Sequence, residues 1–345
     1  MMMRSDIKTL SAYHVPDSSG MIKLDAMENP FSMPDDLCHQ WAEKLAAVAI
    51  NRYPDAEMLA LRQQIAAHEG VEADQVLLGN GSDEIIQMIL IASNAGTCVV
   101  PAPTFVMYGL ISHWLKRPVA RVPLTADFQL NAQYFLETCG REKAEVAFLA
   151  CPNNPTGNLW NRQGIEKIAR GFDGLLVIDE AYGPFSQRTH VDLIAPNVMV
   201  LKTFSKVGWA GLRMGYVLGD ANIIAQLNKV RMPYNINALT QCSAAFLLDH
   251  FELFEQQAAE ICRERTRMAT ALTAMHAMQV FPSQANFLLV RVADANMVFE
   301  ALKDAGILIK NMHGADSLLR QCLRITIGSK EENNAVLKAL GEILL

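Results

Sequence analysis

The middle third of the chain consists of short apolar runs separated by longer helical patterns, and this alternation restricts the possible folds more than any other feature. The runs are continuously apolar rather than alternating with polar residues, so each is expected to be a strand buried on both faces. Buried strands connected through helices form mostly parallel sheets with helices on both sides. The sequence therefore predicts an α/β layer fold around strands at 145–150, 174–179, 198–203 and 214–219.

A change of pattern after Asn237 predicts a second domain. A long helical region at 239–278 precedes strand-like runs at 287–292 and 322–328 with a helical segment between them, which is typical of a smaller α+β domain. A chain of 345 residues has room for two domains. We therefore expect an N-terminal arm at 1–49 that packs on the smaller domain or on a partner subunit, a large domain at 50–245 and a small domain at 246–345.

Charge and composition exclude several classes of function. The formal net charge is −6, from 30 Lys plus Arg against 36 Asp plus Glu, and the charges form no basic stripe, so no nucleic-acid partner is expected. Seven scattered cysteines without a C-x-x-C pair predict reduced thiols rather than a disulfide framework or a zinc site. The N-terminal segment lacks the apolar region of a signal peptide, and the longest apolar stretch is far shorter than the ~20 residues of a membrane helix. We expect no metal, no membrane association and a cytoplasmic location.

Lys206 is the strongest single candidate for chemistry. It follows a predicted buried strand in the sequence TFSK and precedes Arg213 by seven residues. A lysine at the carboxyl edge of a buried sheet is costly to desolvate, which lowers its pKa and suits it to form a Schiff base. The hydroxyls of Thr203 and Ser205 and the guanidinium of Arg213 are donors that a phosphate dianion requires.

Two further strand ends supply an acid, a phenol and a tight turn. Asp179 ends the run LLVID and Tyr182 follows three residues later, which places both at the edge where open α/β sheets bind ligands. The carboxylate can keep a heteroaromatic nitrogen protonated and the phenol can hydrogen-bond a phenolate oxygen, although Asp179 alone could equally be a helix cap or a Mg²⁺ ligand. The turn CPNNPTG at 151–157 is expected to expose the amides of Asn153 and Asn154 at the same edge.

A strand-to-helix turn at 77–90 provides a candidate anion site. Gly81, Ser82 and Asp83 open the predicted helix, where unpaired N–H groups and the positive end of the helix dipole favour an anion. The turn is similar to a dinucleotide-binding fingerprint, but Glu84 occupies the position of the third glycine. A nicotinamide cofactor is therefore disfavoured.

Two other residues complete the candidate set. Tyr108, in PTFVMY, has a ring that could lie over a cofactor, and Arg324, in CLRITIG, is a strand arginine that could clamp a carboxylate. Together the candidates supply a Schiff-base lysine, an acid for a ring nitrogen, two groups for a phenolate and a phosphate cradle. That combination matches the contacts that pyridoxal 5′-phosphate (PLP) needs.

Six segments, GNGSDE, PTFVMY, PNNPTG, VIDEAY, TFSK and GLRMGY, occur in an order that resembles the fold type I PLP-dependent aminotransferases over nearly the whole chain. Within that superfamily, LDAMENPF at 24–31, NRYPDAE at 51–57 and CLRITIG at 322–328 look like the histidinol-phosphate aminotransferase family. The resemblance implies a fold type I architecture with PLP as cofactor. It also implies the reaction of L-histidinol phosphate with 2-oxoglutarate, which gives imidazole acetol phosphate and L-glutamate in histidine biosynthesis.

The same resemblance implies roles for individual residues. Lys206 would carry the Schiff base and Asp179 would pair with the pyridine nitrogen, these two and Tyr182 being the catalytic set. Asn154 and Tyr182 would contact the phenolate oxygen, and Tyr108 would stack on the ring. The remaining cofactor contacts are expected from Gly81, Ser82, Asp83, Thr203, Ser205 and Arg213.

Substrate contacts and a partner subunit are implied as well. Tyr53 of one subunit would reach the phosphate of the neighbouring subunit's cofactor, which implies a homodimer with shared active sites. Arg324 would bind the α-carboxylate of glutamate, Lys310 stands where an arginine is common, and Met27 replaces a residue that is more usually small or polar. The substrate-binding set is Asn29, Asn154, Lys310 and Arg324.

Other functions fit parts of the pattern. An aromatic-amino-acid transaminase and a lyase like threonine-phosphate decarboxylase would use the same fold and cofactor, with a different substrate or a different bond broken. A cofactor-sensing module of a transcription regulator would need a basic helix-turn-helix domain, for which the 23 residues before LDAMENP are too few. A catalytically inactive binding protein also fits the sequence.

Overall fold

The computed structural model describes residues 4–12 and 15–344, so residues 1–3 and 13–14 of the predicted arm and Leu345 of the predicted small domain lie outside the described residues. The helices are α1 Ser5–Lys8, α2 Asp35–Ala46, α3 Leu59–Glu69, α4 Ser82–Ala92, α5 Val106–Trp114, α6 Ala132–Arg141, α7 Arg162–Gly171, α8 Ala221–Asn228, α9 Ala238–Leu248, α10 Phe251–Ala274, α11 Ala295–Asp304 and α12 Lys330–Ile343. The strands are β1 Ile22–Lys23, β2 Val76–Gly79, β3 Thr97–Ala102, β4 Val119–Pro123, β5 Ala144–Ala150, β6 Leu175–Asp179, β7 Val198–Thr203, β8 Gly215–Leu218, β9 Gln279–Val280, β10 Phe287–Arg291, β11 Ile307–Leu308, β12 Lys310–Asn311 and β13 Cys322–Thr326. None of the helices in the described ranges combines the length and apolar character that a membrane span requires.

Seven strands form a central sheet in the order β2-β8-β7-β6-β5-β3-β4. Strands β3 to β7 run parallel, and β8 is antiparallel to both of its neighbours. Alternate residues of β5 pack into two different cores: Phe148 lies with Ile89 of α4, whereas Leu149 lies with Ile168 of α7. The predicted α/β fold with a mostly parallel sheet between helices is confirmed.

The parallel register brings the polar strand ends together. Ala150 at the end of β5 pairs with Asp179 at the end of β6, and Asp179 pairs in turn with Leu201 of β7. The loops that follow these three strands therefore start side by side. They carry Asn154, Tyr182 and Lys206.

A second, four-stranded antiparallel sheet has the order β12-β13-β10-β9 and is covered by the later helices. Its core contains Leu288 and Ile325 from the strands and Val336 from α12. The predicted long helical region at 239–278 is two helices, α9 and α10, because the chain leaves helical geometry at His250. The change of direction lets α9 pack on one core and most of α10 on the other.

The predicted boundary at 245/246 falls inside α9. Phe246 and Leu247 belong to the same core as Ile65 of α3, whereas α10 joins the core of the second sheet only from Ala258 onward. A boundary that divides a helix and its core contacts cannot separate two packing units. We propose instead that the small domain begins within α10.

The N-terminal arm contacts the core of the small sheet and helix α9 of the large unit. β1 pairs with β11, and Leu24 lies in the core of the second sheet. Helix α2 instead packs on α9, where the Trp41 indole N–H donates to Ser243 Oγ over 2.9 Å. The arm therefore passes between the two units, next to the ends of β6 and β7.

Candidate active site

A cavity at the carboxyl edge of the central sheet brings most of the predicted site residues together. The predicted residues on its wall are Ser82, Asp83, Asn154, Asp179, Tyr182, Thr203, Ser205, Lys206 and Arg213. Four further residues, Met27, Phe105, Ala150 and Ala181, complete the wall. Residues that are distant in the sequence thus meet because parallel strands end at one edge.

The turn after β7 delivers Lys206 to this cavity. Thr203 Oγ1 accepts a hydrogen bond from the Ser205 N–H over 3.2 Å and donates to the Met214 carbonyl over 3.1 Å, which closes a short 3₁₀ turn. Lys206 Nζ donates to the Ala26 carbonyl over 3.0 Å. Burial, reinforced by the nearby positive charge of Arg324, lowers the pKa of the Lys206 amine to about 8. A larger fraction of the amine is therefore in the neutral, nucleophilic form than for an ordinary lysine.

Asp179 is a buried acid with two hydrogen-bond donors. Its Oδ1 accepts from the Ala181 N–H over 2.9 Å and its Oδ2 from the Tyr108 hydroxyl over 2.5 Å. Burial raises the pKa of Asp179 to about 6, while the two hydrogen bonds oppose that shift. A cation next to the carboxylate would favour its ionised form. The site therefore suits a ligand that presents a protonated ring nitrogen.

Tyr108, which was predicted to stack on the cofactor ring, is hydrogen-bonded to Asp179 and does not line the cavity wall. It is fully buried, and its ring stacks on Phe148 with centroids 4.7 Å apart. Phe105, three residues earlier, lines the cavity instead. Phe105 directly precedes α5 at the sheet edge, whereas Tyr108 is inside the helix on its buried face. The position of Phe105 close to the end of a strand is the sequence signal that could have identified it as the residue on the cavity wall.

A chain of hydrogen bonds connects the small-domain arginine to the cavity. Arg324 Nη1 donates to Asn154 Oδ1 over 2.7 Å, and Asn154 Nδ2 donates to the Tyr182 hydroxyl over 3.1 Å. Burial raises the pKa of Tyr182, and Arg324 opposes this shift. Asn153, whose amide was predicted to be exposed, is buried and donates to the Pro103 carbonyl. Asn154 alone of the two asparagines faces the cavity.

The start of α4 has the properties of a phosphate cradle. Gly81 has a φ of +82°, a conformation in which any side chain would be strained, and a Cβ there would lie 2.8 Å from Arg213 Nη2. No described side chain caps this helix, which leaves its first N–H groups available to an anion. Arg213 Nη1 donates to Ser205 Oγ over 3.4 Å, and Arg213 Nη2 lies 3.8 Å from Asp83 Oδ2. Amides, a hydroxyl and a guanidinium fit the phosphate group of PLP.

Several predicted residues lie outside the cavity wall. Tyr53 is 81% exposed and its ring stacks on that of Tyr234, with centroids 4.5 Å apart. Asn29 Nδ2 donates to the Val207 carbonyl over 2.8 Å and so holds the arm. Lys310 is the register partner of Arg324 across β12 and β13, which places the two residues on one face of the small sheet.

A larger cavity of about 760 Å³ lies behind the same strand ends. Glu180 and Lys202, the neighbours of Asp179 and Thr203 in sequence, line it because successive strand residues face opposite sides. Lys202 is already paired with both Glu69 and Glu180. Thr203 is the predicted site residue that both cavities share. Among the described residues, no cluster of three or more His, Cys, Asp or Glu side chains is arranged to hold a metal ion.

Comparison with known proteins gives a consistent match over the full fold. The family model described as aminotransferase class I and II matches residues 19–340. Histidinol-phosphate aminotransferase 1 of Burkholderia lata is 45% identical over 344 residues, which cover 98% of this chain and 96% of that protein. Histidinol-phosphate aminotransferase of Chromobacterium violaceum is 43% identical, with 98% of this chain and 97% of that protein covered. The crystal structure of histidinol-phosphate aminotransferase from Sinorhizobium meliloti with pyridoxal 5′-phosphate shares the fold, with a TM-score of 0.89, 24% identity and coverage of 99% and 97%.

Proposed function

The chain belongs to the class I and II aminotransferases and is a PLP-dependent transaminase, and we propose that it converts L-histidinol phosphate and 2-oxoglutarate to imidazole acetol phosphate and L-glutamate. The reaction is a step of histidine biosynthesis. The names of relatives that are 43% and 45% identical over nearly their whole length support this choice of substrates. The observation in the structure that carries the proposal is the meeting of Lys206, Asp179 and Asn154 at one cavity, with Arg324 hydrogen-bonded to Asn154.

Bound PLP supplies an electron sink for the bond that breaks at the substrate Cα. The Lys206 amine would hold the cofactor and would move the proton at the substrate Cα. Asp179, whose carboxylate accepts a hydrogen bond from the Tyr108 hydroxyl, would keep the ring nitrogen protonated. Tyr182 and Asn154, which are hydrogen-bonded to each other, would contact the phenolate oxygen of the ring.

We assign the carboxylate of glutamate and 2-oxoglutarate to Arg324. Its guanidinium is buried and donates to Asn154, which lines the cavity, and to the Asp25 carbonyl. Lys310, on the same face of the small sheet, adds a second positive charge for an anionic substrate group. Asn29 contributes indirectly, since its hydrogen bond to Val207 fixes the arm over the turn that carries Lys206.

We further propose a homodimer in the cytoplasm with active sites shared between subunits. Exposed apolar side chains next to Tyr53 support the shared site: Ile50 is 77% exposed, Met232 is 68% exposed and Tyr234 is 43% exposed. A partner copy that covers these side chains would bring Tyr53 to the phosphate cradle of the neighbouring subunit. The seven cysteines, all free in the structure, are compatible with a reducing compartment.

The substrate assignment predicts a specific outcome in single half-reactions. Glutamate and histidinol phosphate are expected to convert the cofactor to its pyridoxamine form, and phenylalanine to react at least about 10-fold more slowly because it lacks a charge-assisted phosphate contact. Cofactor absorbance after each addition measures this conversion. Comparable rates with phenylalanine would favour an aromatic transaminase instead, and CO₂ released from threonine phosphate would favour the lyase.

The shared site predicts complementation between two defective chains. Tyr53→Ala and Lys206→Ala homodimers are both expected to lose activity, whereas a mixed dimer has one site with both defects and one with neither. Up to half of the wild-type activity per dimer should therefore return on co-expression, as measured on dimers isolated with two different affinity tags. Mixed dimers that stay at the Tyr53→Ala level would place Tyr53 in its own subunit's site. Tyr134→Ala, which removes another exposed tyrosine, is the control and should retain activity.

A further inference from the structure

Met27 has a strained backbone conformation at the wall of the active-site cavity. Its φ is +54°, in the left-handed region where glycine and asparagine are favoured and methionine is uncommon. Its side chain is 7% exposed and lines the cavity together with Phe105. Strain of this kind persists only where the surrounding structure enforces it, and it occurs preferentially at functional sites.

Hydrogen bonds to the backbone on both sides enforce this conformation. The Met27 N–H donates to Thr326 Oγ1 over 3.1 Å, and Asn286 Nδ2 donates to the Met27 carbonyl over 3.0 Å. The preceding carbonyl, that of Ala26, accepts from Lys206 Nζ. The turn is therefore fixed by the small domain on one side and by the catalytic lysine on the other.

None of these contacts uses the methionine side chain. Glycine or asparagine at this position would make the same backbone hydrogen bonds in a conformation that they adopt more easily. What methionine adds is an apolar, unbranched thioether, which adapts its shape and makes favourable contacts with aromatic rings. Met27 and Phe105 are large apolar side chains on a wall that also carries Lys206, Asp179 and Tyr182, and Met27 belongs in addition to the core of the small sheet.

We propose that Met27 is a specificity-determining residue whose thioether contacts the side chain of the amino donor and favours a heteroaromatic or aromatic group. The proposal rests on the proposed function, because it concerns the donor that enters this cavity. Glutamate offers only methylene groups and a carboxylate to the Met27 side chain. It therefore gains less from the thioether than an imidazole ring does.

Met27→Asn tests this proposal because it keeps the backbone conformation and removes the thioether. We expect kcat/KM for histidinol phosphate to fall about 10-fold while that for glutamate changes less than about 2-fold, since losing one apolar contact has an effect of this size. PLP affinity, measured by titration of the apoprotein, should stay unchanged, and Tm should stay within about 4 °C because strain relief offsets lost packing. Met27→Gly should show the same selective loss, whereas Met27→Leu should keep the wild-type ratio of the two donors.

Met58 provides the matched control. It is also a buried methionine in the left-handed region, with a φ of +50°, but it lies at the start of α3 in a different core. Met58→Asn should lower Tm without changing the ratio of the two donors. An unchanged ratio in both Met27→Asn and Met27→Gly, or an equal loss in Met27→Leu, would overturn the proposal. A wild-type enzyme that does not turn over histidinol phosphate would instead contradict the proposed function.

Discussion

Replacing Lys206 with Ala is expected to lower the rate of transamination by at least about 10⁴-fold, because in the proposed mechanism one side chain supplies both the covalent attachment of the cofactor and the proton transfer at Cα. The amine has no substitute in this position: Tyr182, with its ring centroid 5.9 Å from Lys206 Nζ, has a pKa that burial raises. The expected results are loss of the visible absorbance of lysine-bound PLP and no turnover of glutamate in a half-reaction. Far-UV circular dichroism should remain that of the wild type, since Lys206 makes one hydrogen bond, to a backbone carbonyl.

Lys206→Arg separates charge from nucleophilicity, because a guanidinium stays protonated and cannot attack an aldehyde. It should be as inactive as Lys206→Ala, and full activity in either variant would contradict the mechanism.

The lowered pKa of Lys206 can be tested on the wild-type apoprotein. The rate of PLP capture should rise as the amine loses its proton and level off above pH 8, the pKa of Lys206 being about 8. A rate that still increased through pH 10 would mean that the amine is unperturbed.

The sequence predicted the strand ends of the site because they depend on local patterns. Asp179 and Thr203 each end a mostly apolar strand, and the rule that parallel strands share a carboxyl edge places them together. The turn at Lys206 is equally local, since Thr203 and Ser205 form it by their own hydrogen bonds. Periodicity and turn chemistry are sufficient for this part of the site.

The remaining parts depend on contacts that local patterns do not contain. Whether Phe105 or Tyr108 lines the cavity depends on where the short helix α5 begins and on which of its faces is buried. The segment PTFVMY does not reveal either by itself. Arg324 and Asn154 are 170 residues apart in the chain, and their hydrogen bond depends on how the small sheet packs against the large one. The role proposed for Tyr53 is even harder to predict from local patterns, because the phosphate cradle that it would reach belongs to a second copy of the chain.

The Asp179 carboxylate explains why this cavity suits a protonated ring nitrogen. A buried acid without a cation takes up a proton readily, and burial raises the pKa of Asp179 to about 6 even though two hydrogen bonds oppose the shift. The Tyr108 hydroxyl favours the ionised form, since it donates to Oδ2 from a position packed against Phe148. The phenol therefore helps to keep the acid ionised, as a site that would hold a positively charged ring nitrogen requires.

Asp179→Asn should lower the half-reaction rate with glutamate roughly 10³-fold, because a neutral amide cannot hold the proton on the ring nitrogen that makes PLP an electron sink. Tyr108→Phe should cause a smaller loss of about 10-fold, since it removes one hydrogen bond to a charged group. That variant also raises the pKa of Asp179, so its PLP affinity should weaken as pH falls from 8 to 6, whereas the wild type should change less. Tyr216→Phe removes another buried phenol that donates to a carboxylate, that of Glu69, and should reduce Tm without altering PLP affinity. If Tyr108→Phe and Tyr216→Phe behaved alike in PLP titrations across this pH range, the Tyr108 hydroxyl would have no role in holding Asp179 ionised, and its contribution would be to stability alone.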